Sequence, residues 1–235
     1  MKKVLLTLMA GTFALGCTLT AAAADDEATK VSERLENSAK IINELSGPDA
    51  TAGIPHDVLA GAKCIAVIPG MKQAGFIVGG HHGNGVATCK LASGRWSAPA
   101  PFQTTGGSFG LQIGAESVDV VMMVMNDDGM KALESGHFKV GGEVNAAAGP
   151  VGREGSAEAG WKAAILTYAK AKGVYGGITL KGAELNQDKN ATEALYGSEV
   201  PFTTILSGKA PATHDAAVRQ FLTTVHSAEA NAKAQ

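Results

Sequence analysis

Thirty glycines, scattered without a three-residue period, constrain this 235-residue chain more than any other feature. The missing G-X-Y repeat excludes collagen. Glycines in this number fit tight turns and strands that approach one another closely. Between them lie short, β-branched apolar runs: Cys64–Pro69 (CIAVIP), Gly75–Gly79 (GFIVG) and Val118–Met125 (VDVVMMVM). These have strand length and strand composition. An apolar fraction of 45% is too high for a disordered chain, and 18% charged residues is too low for a coiled coil. One globular domain rich in sheet is the expectation.

Residues 1–24 read as an export signal. Lys2 and Lys3 form a positive start, Val4–Leu15 is an apolar stretch of signal length, and Ala22-Ala23-Ala24 meets the small-x-small rule before Asp25. The expected domain plan is therefore a signal peptide over 1–24 and a single domain over 25–235. A second reading of the same stretch stands beside it: Phe13-Ala14-Leu15-Gly16-Cys17 resembles a lipobox, which would lipidate Cys17. Either reading places the protein outside the cytoplasm, in the periplasm or attached to the envelope. Removing Lys2 and Lys3 takes the net charge from −2 to −4. A mildly acidic chain is not built for nucleic acid. In an oxidising compartment Cys64 and Cys89 either form a disulfide or lie as two buried thiols in neighbouring strands.

Apolar positions recur at helical spacing from Thr29 to Leu45, with Val31, Leu35, Ala39, Ile42 and Leu45 on one side, until Gly47-Pro48 stops the run. A short helix with Pro55 in its first turn follows, running to Ala62. The glycine-rich stretch 79–85 reads as a hairpin tip between Gly75–Gly79 and Val86–Lys90. Thr105–Ile113 reads as a strand packed against another backbone, and Val118–Met125 as the centre of the sheet. Asp128 is the expected cap of a short helix over Met130–Glu134. Hairpin-like stretches follow at Phe138–Ala148 and at Trp161–Tyr168 with Val174–Leu180. Asn190–Tyr196 and Pro211–Ser227 read as helices. The fold class is α+β: a bent, mostly antiparallel, glycine-rich sheet, barrel-like in one version, with helices at the N- and C-terminal ends.

An ordered set of motifs runs through this plan: Gly53-Ile54-Pro55 with Ala62-Lys63, Ala74-Gly75-Phe76, Trp96-Ser97-Ala98-Pro99, and Gly106-Gly107-Ser108-Phe109-Gly110 with Glu116 and Asp119. Gly149-Pro150-Val151-Gly152-Arg153 and Gly176-Gly177-Ile178-Thr179-Leu180-Lys181-Gly182 complete it. The set resembles the SYLF lipid-binding domain, also called the Ysc-type actin-binding domain, from about Lys30 to about Ala212. That resemblance implies a non-enzymatic protein that binds anionic phospholipid, or a protein partner, and needs no cofactor. It also implies that the first helix meets the membrane, through Val31, Arg34, Leu35, Lys40, Ile41, Ile42 and Leu45. An exported protein meets neither actin nor phosphoinositides in the ordinary course, so the broader lipid affinity is what transfers.

The residues read by themselves are less committed. The first helix carries three cations against three acids and no aromatic residue, which suits a helix packed on a sheet as well as one lying on a membrane. Lys63, Lys72, Lys90 and Arg95 flank strands and form either a basic patch or a solvated surface. A protein-binding scaffold of the envelope is the alternative function. Gly106–Gly110 matches G-x-S-x-G, so a third reading makes Ser108 a hydrolase nucleophile, with Asp119 and His137, His214 or His226. That motif needs a helix directly after it, and an apolar strand follows instead. His81-His82 with Cys64 and Cys89 is a weak metal set, because adjacent residues in a strand face opposite ways. Trp96 and Trp161 are expected in the core. Arg153 is expected to pair with Glu116 or Asp119.

Overall fold

The computed structural model describes residues 16–47, 53–75, 78–109, 114–142, 144–151, 163–171, 174–178, 180 and 182–234. The chain opens with helix α1 (Gly16–Ser46) and a short α2 (His56–Gly61). Four long strands follow: β1 (Cys64–Gly75), β2 (Val78–Cys89), β3 (Ala100–Phe109) and β4 (Gly114–Val124). Then come α3 (Asp127–Glu134), β5 (His137–Lys139), β6 (Ala146–Ala148), β7 (Ile165–Ala171), β8 (Val174–Gly177) and β9 (Glu184–Gln187). The chain closes with α4 (Lys189–Tyr196), a turn of helix α5 (Phe202–Thr204) that widens over Ile205–Lys209, and α6 (Ala216–Lys233).

All described strands join one sheet in the order β5-β9-β3-β2-β1-β4-β7-β6, with β8 paired to β7. Every pairing is antiparallel except β6 with β7. The expected α+β class, with helices at both ends of a mostly antiparallel sheet, is what the chain forms. The bend has a local cause. β1 breaks register against β2 and against β4 around Pro69-Gly70, and such a bulge kinks a strand and increases its twist. Gly70 takes φ 58° there, and Asp119 Oδ1 accepts its N–H at 2.8 Å. Asp119 thus serves the bulge; Arg153 lies outside the described residues.

The stretch 79–85 is not a hairpin tip. It lies inside β2, paired residue by residue with β3. Its composition looks like a turn because neighbouring side chains occupy the space a Cβ would need. A Cβ on Gly83 would stand 2.6 Å from Ile68 Cγ2, and one on Gly85 2.4 Å from Phe102 Cζ and 2.6 Å from the Val67 carbonyl oxygen. Gly85→Ala is therefore expected to cost roughly 1–3 kcal/mol as an overpacked site, since one obstacle is backbone. A urea midpoint lowered at unchanged slope checks this. A variant as stable as the parent would refute the packing.

Other boundaries also differ. α1 begins at Gly16 rather than Thr29, carried by the strong helix former Ala at 21–24. Asn126, not Asp128, caps α3, accepting the Gly129 N–H at 3.0 Å. The stretch 138–148 is no hairpin: β5 pairs with β9 and β6 with β7. α1 packs on α6 and α4, and Val31, Leu35, Ile42 and Leu45 enter the same core as Phe221 and Val225. Ser32 Oγ donates to Asp215 Oδ2 at 2.6 Å, tying α1 to the start of α6. The far end of α6 is held by Glu229, which accepts from Trp96 Nε1 at 2.9 Å and pairs with Lys90 and Lys233. Burial alone would raise that carboxyl, but the bonds from Lys233, Lys90 and Trp96 together outweigh it and hold the pKa below its ordinary value. Trp96 is a core residue; Trp161 lies outside the described residues.

Candidate functional site

The first helix does not present its apolar stripe to solvent. Val31, Leu35, Ile41, Ile42 and Leu45 are all buried, because α6 and the sheet cover that side. As lipid contacts they would have to leave the core first. Arg34 is buried as well, its Nη1 donating to Asp188 Oδ2 at 3.1 Å. Lys40 is exposed.

The four strand-flanking cations do not gather into one patch. Lys63 pairs with Asp127 at 2.6 Å, which holds that carboxyl below its ordinary range, and Lys90 pairs with Glu229. Arg95 is exposed in the β2–β3 connection, while Lys72 is exposed toward the opposite end of β1. Register explains the separation: Cys64 and Cys89 face each other at one end of the β1/β2 pair, and Lys72 faces His82 well along it. Cys64 and Cys89 are joined as a disulfide. Cys17 lies in the first turn of α1, and its side chain is outside the described residues.

Neither chemical alternative finds its geometry among the described residues. Ser108 sits in β3 opposite Gly79, and the next described element is strand β4, so the strand-to-helix elbow of a hydrolase is not formed there. Asp119 is engaged with Gly70, and His137 Nδ1 contacts Asn186 Oδ1 at 2.5 Å. His214 and His226 are exposed. His81 and His82 lie in β2, one buried and one exposed, as strand alternation requires. Burial, and secondarily the neighbouring His82, lowers the His81 pKa and favours the neutral ring. No cluster of three or more His, Cys, Asp or Glu that could hold a metal occurs among the described residues.

What the fold does assemble is a polar cleft of about 510 Å³ under the middle of α1. Glu27, Lys30, Glu33, Arg34 and Asn37 line it from the helix, and His82, Asn84 and Gln103 from the sheet. Pro69 at the bulge and Asp188 and Asn190 at the start of α4 close its ends. Asn84 and Gln103 are opposite one another in the β2/β3 register. Asp188 is both the partner of Arg34 and the N-cap of α4, its Oδ1 accepting the Ala191 N–H at 3.1 Å. Lys30 is held between Asp26 at 2.5 Å and Glu27 at 3.8 Å. Of these residues the sequence points to Arg34 for lipid binding and to His82 only as part of a weak metal set. The amides of β2 and β3 gave no signal, because the cleft joins segments far apart in the chain.

Comparison with known proteins agrees with the motif set. Residues 105–228 match the family model described as Las17-binding protein actin regulator, Ysc84. LAS seventeen-binding protein 3 of Saccharomyces cerevisiae is 36% identical over 183 residues, which cover 74% of this chain and 40% of that protein. SH3 domain-containing YSC84-like protein 1 of Rattus norvegicus is 35% identical over 185 residues, and its Homo sapiens counterpart 34%, covering 54% and 53% of those proteins. The chain thus spans about half or less of each of these relatives. It belongs to the Ysc84 family of Las17-binding protein actin regulators, the family of the SYLF domain.

Proposed function

We propose that the protein is exported to the cell envelope and binds phospholipid headgroups at a membrane surface there, with no catalytic chemistry of its own. The observation that carries this reading is Arg34. Its side chain is 7% exposed and lines the cleft, and among the described residues its guanidinium makes one hydrogen bond, to Asp188, out of five N–H donors. Charged donors left over at a polar cleft suit an oxyanion such as phosphate. Lys40, Lys72 and Arg95 are exposed and make no ion pair among the described residues. Each such cation near an anionic bilayer adds about 1 kcal/mol of attraction. In this conformation contact is with headgroups, since the apolar stripe of α1 is covered.

Co-sedimentation with anionic and neutral vesicles across a salt series tests the reading. Binding to anionic vesicles should weaken as salt rises, and reversing Lys40 and Lys72 to Glu should weaken it roughly 30-fold or more, at about 1 kcal/mol for each cation lost. Folded protein that stays in the supernatant with every vesicle at low salt would refute the reading. The search would then pass to a protein partner in the envelope; the name of the Saccharomyces cerevisiae relative describes that protein as one that binds LAS seventeen.

A further inference from the structure

We propose that the cleft under α1 is a headgroup site for a zwitterion, with an oxyanion on Arg34 and an ammonium against Glu33, and that phosphoethanolamine is the group it fits. This deepens the phospholipid reading and rests on it. The free surface cations set the attraction to a bilayer, and the cleft sets which headgroup is held.

Arg34 supplies the oxyanion half. None of its nitrogens is sealed in the protein without a partner, so the donors that Asp188 does not use reach the cleft. A guanidinium this deep normally spends its donors on protein acceptors. Here an incoming phosphate oxygen is the acceptor the geometry lacks.

Charge balance supplies the other half. The lining carries Lys30 and Arg34 against Glu27, Glu33 and Asp188, a net charge of −1 from these five groups. A bare anion placed on Arg34 enters an already negative surround, whereas a zwitterion brings its own compensating charge. Glu33, the residue before Arg34, is exposed, lines the cleft, and pairs with no cation among the described residues. It is the natural acceptor for a primary ammonium. Asn84 and Gln103, side by side on the sheet, can donate to or accept from the linker atoms between the two charges. No Phe, Tyr or Trp lines the cleft among the described residues, so a base finds no large stacking platform there. A volume of about 510 Å³ is of small-ligand size.

The test uses the full chain, ¹⁵N-labelled, titrated with O-phosphoethanolamine, inorganic phosphate and ethanolamine. In parallel it is sedimented with vesicles of constant phosphatidylglycerol content in which phosphatidylcholine is replaced by phosphatidylethanolamine. The expected result is that the amides of Asn84, Gln103 and Asn190 shift, and that phosphoethanolamine binds roughly 2–5-fold more tightly than phosphate, the range of one exposed ion pair. Glu33→Gln should erase that ratio, and because Glu33 is exposed the variant remains folded. Phosphate binding as well as phosphoethanolamine, or a ratio unchanged by Glu33→Gln, overturns the proposal. Vesicle binding with no shift at the cleft amides overturns the cleft assignment and leaves the phospholipid reading standing. Cleft shifts with the soluble group but no sedimentation with phosphatidylethanolamine vesicles support the zwitterion site for a free ligand and sink the membrane reading.

Discussion

Arg34→Met should lower the unfolding free energy by roughly 3–5 kcal/mol, the cost of stranding one member of a buried ion pair. The side chains of Arg34 and Asp188 are 7% and 4% exposed, so neither charge has much water to fall back on. With the guanidinium gone, the Asp188 carboxylate keeps the Ala191 N–H and loses its counter-charge. A second substitution separates this account from simple loss of packing. Asp188→Asn in the Arg34→Met background removes the stranded charge while an amide oxygen still caps α4, so it should recover a large part of the loss. Urea unfolding of the parent, the single and the double variant decides it. A double variant no more stable than Arg34→Met would show that the cleft hydrates Asp188 and that the pair is not an isolated buried one. The same pair joins α1 to α4, so the cleft should lose its shape along with the stability, and headgroup binding should fall with it.

That pair also marks where reading along the sequence stops. The apolar stripe of α1 was legible because a single helix carries its own period, and Val31, Leu35, Ile42 and Leu45 repeat it. The strands around Cys64–Pro69 and Val118–Met125 were legible because a β-branched run bounded by turns has few other uses. The stretch 79–85 was not. Glycine signals a turn and a close packing site with the same letter, and the ring of Phe102 that claims the space at Gly85 stands in another strand. β9 escaped notice because Glu184–Gln187 is short and polar but for Leu185, and gains strand character by pairing with β3 and β5. The cleft was the least legible part. Arg34 and Asp188 are 154 residues apart, and each looks like ordinary surface charge until the fold buries them together. Lys63 and Lys90 show the converse: cations that looked free are spent on Asp127 and Glu229.

Reducing the Cys64–Cys89 disulfide should cost about 3–4 kcal/mol, the chain-entropy value for cross-linking residues 25 apart. Cys64 and Cys89 are buried, at 0% and 1% exposure, so the thiols formed on reduction stay packed against the same neighbours. The loss should therefore fall chiefly on the unfolded state, which regains the freedom of the closed loop. Urea unfolding with and without reductant checks this. The midpoint should drop, and the slope should rise because the reduced unfolded chain is more expanded. Iodoacetamide labelling of the reduced protein should be slow under native conditions and fast above the midpoint, as burial requires. Coincident unfolding curves would refute the effect and show that the β1/β2 ladder constrains the unfolded chain without the bond. The magnitude bears on where the protein works. Against a total of about 5–15 kcal/mol for a typical domain, a loss of this size would leave the reduced chain much nearer its unfolding threshold. An oxidising compartment keeps the bond closed, and the proposed envelope location thereby gains a reason in the stability of the fold, independent of any leader sequence.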